Sequence, residues 1–559
     1  MTRSNGVLER MRWMSALMFS AFLALALGVA LHASRGLQSS LGSGSDAASG
    51  ATPPPAVSAP AGSTRALDPR IAGLAARHPR SVVQAVVQFK GGVSVDRARW
   101  AVAHVGGRVF GELHIINALA VKLSAAGARE LATSPLVHAV SLNSVVKTQD
   151  YYSGFSTSNL QTTYDQTLGV SPYFRYGYTG TGVGVAVIDT GIDGEVPDFQ
   201  AANHSGSRVV ETAVTNPLAQ TAADSYGHGT DVAGIIAGNG DNRSWSDPLY
   251  GRYIGVAPNA NLISVKVSDD SGNATVLDVI YGLQFVVDHQ SDYNIRVVNL
   301  SLDSSTPQSY TTDPLDAAAE AAWMHGIVVV AAAGNRGSAS DAVQYAPAND
   351  PYVITVGAAD ENGTADSSDD AAASWSSQGT TQDGFQKPDV YAPGVHIVSV
   401  LAPNSAFASM CPSCIVGGQY IRTGGTSMAA PMISGLIADL LQAHASLTPN
   451  QVKGALTSSS VTANSLPEVN AYKFGMLWSP PVANQGLTPN SLITDASGSI
   501  DYSRSSWSRS SWSTASGSLS AAFARSSWSC SCSTTSTGTV DPSRSSWSRS
   551  SWSTYFETQ

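Results

Sequence analysis

The sequence predicts an α/β protein built on a doubly wound, mainly parallel sheet with helices on both faces, preceded by a small α+β domain. Between about Gly177 and Thr457, the apolar runs VGVAVIDTG, LISVKVSD, RVVNLSL, IVVVAAAGN and VITVGAAD alternate with helical segments such as VLDVIYGLQFVVDH and PLDAAAEAAWMHG. These runs are continuous in Val and Ile, without polar alternation, which is the pattern of strands covered on both faces and joined by crossover helices. Upstream, from Ser81 to about Lys147, VVQAVVQF, VDRARWAVAHVGG, RVFGELHIINALAVKL, SAAGARELATSP and VHAVSLN read as strand, helix, two strands, helix, strand.

The remaining segments follow from composition. Arg3, Arg10 and Arg12 precede an uncharged apolar stretch from Trp13 to about Leu31, followed by small residues around Ala30 and Ala33, so residues 1–33 read as an export signal. The stretch is also long enough to stay as a membrane anchor. Residues 34–80, rich in Ser, Gly, Ala and Pro, read as a linker; 81–147 form the small domain, 148–485 the large one, and 486–559 a low-complexity tail. RSSWS recurs in that tail at 504, 509, 525, 544 and 549. Its serines cannot build a core, while its Trp and Arg residues suit stacking on sugar rings or contact with a cell envelope.

Charge and cysteine usage bound the partners. A net charge of −10, with no Lys/Arg-rich run, excludes a nucleic-acid-binding surface, because nothing would displace counterions from a polyanion. Four cysteines occur as near neighbours, Cys411 and Cys414 in CPSC, Cys530 and Cys532 in CSC. They suit two short-loop disulfides in an oxidising compartment, a redox pair, or two half-sites for zinc.

Parallel sheets place their chemistry beyond the carboxyl ends of the strands. VAVIDTGID sets Asp189 where the first apolar run stops. SYGHGTDVAGIIAG sets His228 between glycines at the start of an apolar helix, and GGTSMAAPMISG sets Ser427 in the first turn of another, where backbone N–H groups lack an intrahelical partner. Each alone is a common turn or helix entry. Together they supply an acid, a base and a hydroxyl.

The segments DTGID, GHGTDVAG and GTSMAAP resemble the three signature segments of the subtilisin-like serine proteases, in that family's Asp, His, Ser chain order. The resemblance continues through VVNLSL, IVVVAAAGN, ASWSSQG and KPDVYAPG, over roughly residues 155 to 480. It implies a subtilisin-like fold and an exported serine endopeptidase acting on protein or peptide substrates, with Ser427 as nucleophile, His228 as general base and Asp189 as its orienting carboxylate. Asn335 would be the side-chain donor of the oxyanion hole. No cofactor is required for that chemistry. Substrate would lie against two strand edges, Ser301, Leu302 and Asp303 on one side and Ala331, Ala332, Ala333 and Gly334 on the other, close to Thr426.

Two residues depart from the family pattern. Asp303 stands where glycine is common after SL, a carboxylate that would favour basic side chains or restrict the cleft. Asp231 stands where histidine is frequent, and takes no catalytic role. The resemblance further implies that residues 81–147 are an inhibitory propeptide of ferredoxin-like fold, the chain's own first partner, removed by cleavage between about Val146 and Asn159. Asp198 resembles a structural calcium ligand, with Asn239, Asp241 and Asn242 in a nearby loop. A different class of reading makes the chain an envelope-associated scaffold that presents its Trp/Arg tail.

Overall fold

The computed structural model describes residues 67–501, apart from 149–150, 154–162, 202–204, 243–245, 248–249, 251–252, 464–465, 476–478 and 496, together with 555–557. The expected export segment and the RSSWS tail, with Cys530 and Cys532, lie outside the described residues. No helix among the described residues is long and apolar enough to cross a membrane.

The small domain contains helix α1 (Pro69–Arg77), β1 (Val82–Phe89), α2 (Val95–His104), β2 (Arg108–Leu113), β3 (Ala118–Ser124), α3 (Ala125–Ala132) and β4 (Val137–Leu142), with the strands in one antiparallel sheet ordered β2-β3-β1-β4. Helix α1 falls inside the stretch that composition assigns to linker. Local signals nevertheless favour it: Asp68 caps the helix by accepting the Arg70 N–H at 2.8 Å, Pro69 opens the first turn, and Ile71 and Ala75 are buried. Averaging over a Ser/Pro-rich window hides these nine residues.

Strand β1 explains why its run lacks simple polar alternation. Val83, Ala85, Val87 and Phe89 pack in a core shared with α1, α2 and α3, while Val86 points to the opposite face and joins the core of the large domain. Leu113, Ile115, Ile116, Ala118 and Ala120 join it there. Side chains two apart share a face, so one strand serves two cores.

In the large domain the main sheet contains β6 (Gly184–Asp189), β7 (Val209–Val214), β8 (Asn261–Lys266), β10 (Ile295–Leu300), β12 (Val328–Ala332), β13 (Ile354–Asp360) and β14 (Val390–Pro393). Their spatial order is β14-β13-β12-β10-β6-β8-β7, with every pair parallel. Three short strands extend it beyond β14 and on β13, two of the pairings being antiparallel. Helices α4 (His228–Ala237), α5 (Val276–Asp288), α6 (Pro314–Met324) and α7 (Thr426–Ala443) cover the sheet. Strand β6 has β8 on one side and β10 on the other, so chain progress reverses at its carboxyl end and opens a crevice there.

Beyond the small domain, β5 (Val145–Thr148) lies between two short strands of the large domain, β9 (Ala274–Thr275) and β11 (Leu302–Ser304), antiparallel to both. Thr148 pairs with Leu302, Lys147 with Asp303 and Val146 with Ser304. The preceding residues cap α5: the Val276 N–H donates to Ser144 O at 2.8 Å and the Leu277 N–H to Asn143 Oδ1 at 2.9 Å. At its other end, α5 receives the small domain through Gln284, whose Oε1 accepts the His114 N–H at 3.1 Å, and through Asp288, 2.9 Å from His114 Nε2.

The large domain continues past residue 485. Asn490 Nδ2 donates to Tyr310 O and to Asp313 O, and Leu492 and Ile493 are buried in the main core. The Ser/Gly-rich composition around them conceals these anchors.

Gly111 sets how closely the two domains approach. A Cβ at that position would lie 1.5 Å from the Tyr281 hydroxyl oxygen on α5, which no side chain can tolerate. Gly111→Val should therefore cost about 1–3 kcal/mol of overpacking at this contact. Faster amide exchange over 108–124, with the exchange of β6 and β10 unchanged, is the expected readout; equal protection in variant and parent would contradict it.

Candidate active site

Asp189 is the last residue of β6 and His228 the first of α4. His228 Nδ1 donates to Asp189 Oδ1 at 2.6 Å, and the Thr190 N–H donates to the same oxygen at 2.7 Å. Both side chains are buried. A carboxylate only accepts, so this bond fixes the imidazole tautomer and leaves Nε2 as the nitrogen that exchanges protons.

Small residues make the approach possible. Gly229 follows the histidine, and a Cβ there would sit 2.1 Å from Gly191 O and 3.1 Å from Asp189 Cβ. Only glycine lets the helix start touch the strand end.

A second aspartate, which the motif reading passes over, fastens this junction. Asp224 accepts from the Thr190 hydroxyl at 2.8 Å, the Gly227 N–H at 2.7 Å, and the N–H and hydroxyl of Thr230 at 2.8 and 2.7 Å. Thr190 Oγ1 in turn accepts the Gly229 N–H at 2.9 Å. Burial pushes the Asp224 carboxyl upward, and the hydrogen bonds from Gly227, Thr230 and Thr190 pull it back. It ties the turn after β6 to the first turn of α4. The signal in the sequence is its place four residues before His228, with a threonine on either side of the junction.

Ser427 is the second residue of α7. Gly425 precedes the helix with φ of 150°, a conformation that side chains rarely adopt, so its small size has a backbone reason. The Ser427 hydroxyl donates to Ser301 O at 3.2 Å, and the Ser301 hydroxyl donates back to Ser427 O at 2.8 Å. Asn299 supports the exchange, its Nδ2 donating to Ser301 Oγ at 2.9 Å while its Oδ1 accepts from Ser434 at 2.8 Å. Helices α4 and α7 meet closely: a Cβ on Gly435 would lie 3.2 Å from Ile236 O.

Asn335 lies just past β12. Its Oδ1 accepts from the Thr426 N–H and the Thr426 hydroxyl, both at 3.0 Å, and Thr426 Oγ1 accepts the Gly334 N–H at 3.1 Å. These bonds orient the amide with its NH2 end as the donor. Thr426 is fully buried and acts through Asn335 and Gly334.

The second strand edge differs from the sequence expectation. Ala331 and Ala332 pair within the sheet on one or both sides, with Leu300 and Thr355 flanking Ala331 and Val356 beside Ala332, and the Ala333 N–H donates to Val356 O. A backbone already paired on both sides cannot accept another strand. The edges that take β5 are Leu302–Ser304 and Ala274–Thr275. The latter pair escapes sequence reading because two residues carry no periodicity.

For Asp303 the structure decides against one of the two expected effects, attraction of basic side chains. Asp303 forms an ion pair with Arg336, and its side chain is only 1% exposed. It is therefore not an open carboxylate awaiting a basic side chain. Asp231 Oδ2 accepts from the Thr423 hydroxyl at 2.7 Å, a structural bond below α4.

The expected calcium ligands are engaged with one another. Asp198 Oδ1 accepts the Asn242 N–H at 2.8 Å, Asn242 Oδ1 accepts the Asp198 N–H at 3.1 Å, and Asn239 bonds to Gln200 O and Asp241. Arg208 supplies positive charge here, donating to the carbonyls of Asp198 and Ala237, both at 2.6 Å, and of Ala260 at 3.1 Å. Burial pushes Asp198 up to about 6. Among the described residues no group of three or more His, Cys, Asp or Glu side chains could hold a metal ion. The Arg208 guanidinium occupies the carbonyls of Asp198, Ala237 and Ala260, while Asp198 Oδ2 stays buried without a hydrogen-bond partner among the described residues.

Phe407, on the short helix Ala406–Met410, stands edge-on to the His228 ring with centroids 6.0 Å apart. The loop after that helix is closed by a disulfide between Cys411 and Cys414.

This fold, with a buried carboxylate steering a histidine at the switch point of a parallel sheet, defines a subtilisin-like serine protease. The chain belongs to the subtilase family, whose model matches residues 180–476. It is 41% identical over 287 residues to the serine protease AprX of Bacillus subtilis (strain 168), spanning 50% of this chain and 62% of that relative. It is 32% identical over 380 residues to subtilisin E of the same strain, spanning 67% of this chain and 84% of that protein. Its fold is similar to the crystal structure of fervidolysin from Fervidobacterium pennivorans, a keratinolytic enzyme related to subtilisin, with a TM-score of 0.56 and 24% identity over 73% of this chain and 62% of that one.

Asp224→Ala removes four hydrogen bonds at the start of the histidine helix without touching the imidazole. Turnover should fall by roughly 10²-fold, the scale of a small misplacement of a catalytic group, while KM changes little. A tenfold rise in KM at unchanged turnover would instead place Asp224 in substrate binding.

Proposed function

We propose that the chain is an exported serine endopeptidase, made as a zymogen, that hydrolyses peptide bonds through Asp189, His228 and Ser427. The observation that carries this reading is the 2.6 Å bond from His228 Nδ1 to Asp189 Oδ1, formed at a sheet end where the helix bearing Ser427 also begins. In the acylation step His228 Nε2 takes the Ser427 hydroxyl proton as Oγ bonds to the substrate carbonyl carbon. Asp189 stabilises the resulting imidazolium. The carbonyl oxygen becomes an oxyanion facing Asn335 Nδ2 and the Ser427 backbone N–H, donors already in place before charge develops. The proton then passes to the leaving amine, and water repeats the sequence to release the acyl group.

Substrate binding would use Ser301, Leu302 and Asp303 together with Ala274 and Thr275 as backbone edges, with Ala333 and Gly334 beyond the sheet end forming the opposite wall. Strand β5 supports this reading, since it lies between those edges as an extended peptide would. The domain before it would then be the propeptide, with β5 holding the cleft closed.

The register of β5 supports a cleavage site just past that strand. Thr148 pairs with Leu302, and the residue before Leu302 is Ser301, whose carbonyl accepts from the Ser427 hydroxyl, so a substrate strand bound in the register of β5 would present to Ser301 the residue after its Thr148 equivalent. The reading therefore places hydrolysis at the Gln149–Asp150 bond. The Cys411–Cys414 disulfide supports an oxidising compartment and hence export, as does the basic and apolar character of residues 1–33.

The full chain should acquire a new N-terminus at Asp150, read by mass spectrometry, and an alkyl fluorophosphonate should label Ser427. Ser427→Ala should lose on the order of a millionfold in turnover and Asn335→Ala roughly a hundred- to a thousandfold, the magnitudes established for subtilisin itself. Equal residual activity in the two variants, or retention of the intact 67–148 domain in the active form, would refute the assignment.

A further inference from the structure

Asp303 and Arg336 belong to the two segments proposed above as the walls of the substrate groove. Asp303 sits on β11, which pairs with β5, whereas Arg336 follows Asn335 beyond the end of β12. Along an antiparallel pair, directly opposed residues share a face and the faces alternate every residue. The residue that faces Ser301, donor of the scissile carbonyl, therefore has its side chain on the same face as Asp303.

The Asp303 carboxylate crosses that space. A Cβ built on Gly334, the opposite wall, would lie 3.1 Å from Asp303 Oδ2 and 3.0 Å from Arg336 Nη1. Gly334 has φ of 96°, so the backbone also demands glycine there. The guanidinium is itself held from two sides, by the ion pair with Asp303 and by the Tyr345 ring, whose centroid lies 3.7 Å from its central carbon, while the Arg336 backbone N–H donates to Ser377 Oγ at 2.9 Å and fixes the main chain. Tyr345 is braced by its hydroxyl bond to Asp341 at 2.6 Å. The carboxylate is buried and the guanidinium partly exposed, 1% against 22%. The carboxylate thus forms the inner closure and the guanidinium the mouth.

We propose that the Asp303–Arg336 ion pair closes the pocket for the side chain preceding the scissile bond, so that preferred substrates carry a short or uncharged polar side chain at that position. This deepens the peptidase reading and rests on it. Two walls with nothing between them would form a slot for a flat aromatic ring. Here a ring would have to displace a buried ion pair whose charges are already matched, and a lysine would meet a carboxylate that is already neutralised. The Gln149 side chain at the expected cleavage site belongs to the accepted class.

The test uses the full processed protein and four peptides that differ only in the residue before the scissile bond: Ala, Gln, Phe or Lys. For the unmodified protein, kcat/KM for Ala and Gln should exceed that for Phe and Lys by about tenfold or more. The double variant Asp303→Gly, Arg336→Ala opens the slot and should raise the Phe-to-Ala ratio by about tenfold. Arg336→Ala alone leaves the carboxylate unmatched and should raise the Lys-to-Gln ratio by a similar factor, which gives a second readout should the double variant not fold. A parent that prefers Phe, or ratios that stay within about twofold in both variants, overturns the proposal while leaving the peptidase reading intact. Absence of hydrolysis of every peptide together with absence of fluorophosphonate labelling of Ser427 overturns the peptidase reading, and this inference with it.

Discussion

A hydrogen bond of 2.6 Å between two buried side chains, His228 and Asp189, is the contact around which the rest of the molecule is arranged. In water such a pair would exchange partners freely. Here the surroundings hold it still: the Thr190 N–H shares the carboxylate oxygen, Gly229 lets the helix touch the strand, and Asp224 locks the turn from below. The parallel sheet supplies the meeting point, because strand progress reverses at β6 and the neighbouring carboxyl ends open onto one crevice. Without that topology Asp189 and His228, far apart in the chain, would have no common location.

The same economy appears where Ser427 meets the substrate edge. Ser301 and Ser427 each donate a hydroxyl to the other's carbonyl, so the start of α7 and the chain just past β10 are positioned by one reciprocal contact. Thr426 performs the corresponding task for Asn335 and Gly334. A displacement at the helix start would therefore disturb Ser427, Asn335 and the Ser301 backbone together. Preorganisation of this kind is distributed over residues that never touch the reacting atoms.

Much of this was legible in the sequence, for reasons that are local. Asp189, His228 and Ser427 sit beside residues whose small size or turn geometry is itself a signal, and the Val/Ile runs that precede them reveal doubly covered strands. From Val82 to Leu142 the succession strand, helix, two strands, helix, strand follows from periodicity alone. What stayed hidden depends on partners distant in the chain. Ala274 and Thr275 become an edge only because β5 lies against them, and Ala331 ceases to be one because β10 and β13 occupy both its sides. Asp303 reads as an open charge until Arg336 is seen beside it, and around Asp198, which reads as a calcium ligand, Arg208 fills the neighbouring carbonyls. Helix α1 and the anchors Asn490, Leu492 and Ile493 were diluted by the composition around them.

Strand β1 has one further consequence. Its Val86, with Leu113, Ile115 and Ile116 nearby, belongs to the apolar cluster of the large domain rather than to its own. Departure of the small domain would wet that face, and the penalty for wetting hydrocarbon shrinks as temperature drops. The apolar part of the grip of one domain on the other is thus loosest in the cold and firmer on warming.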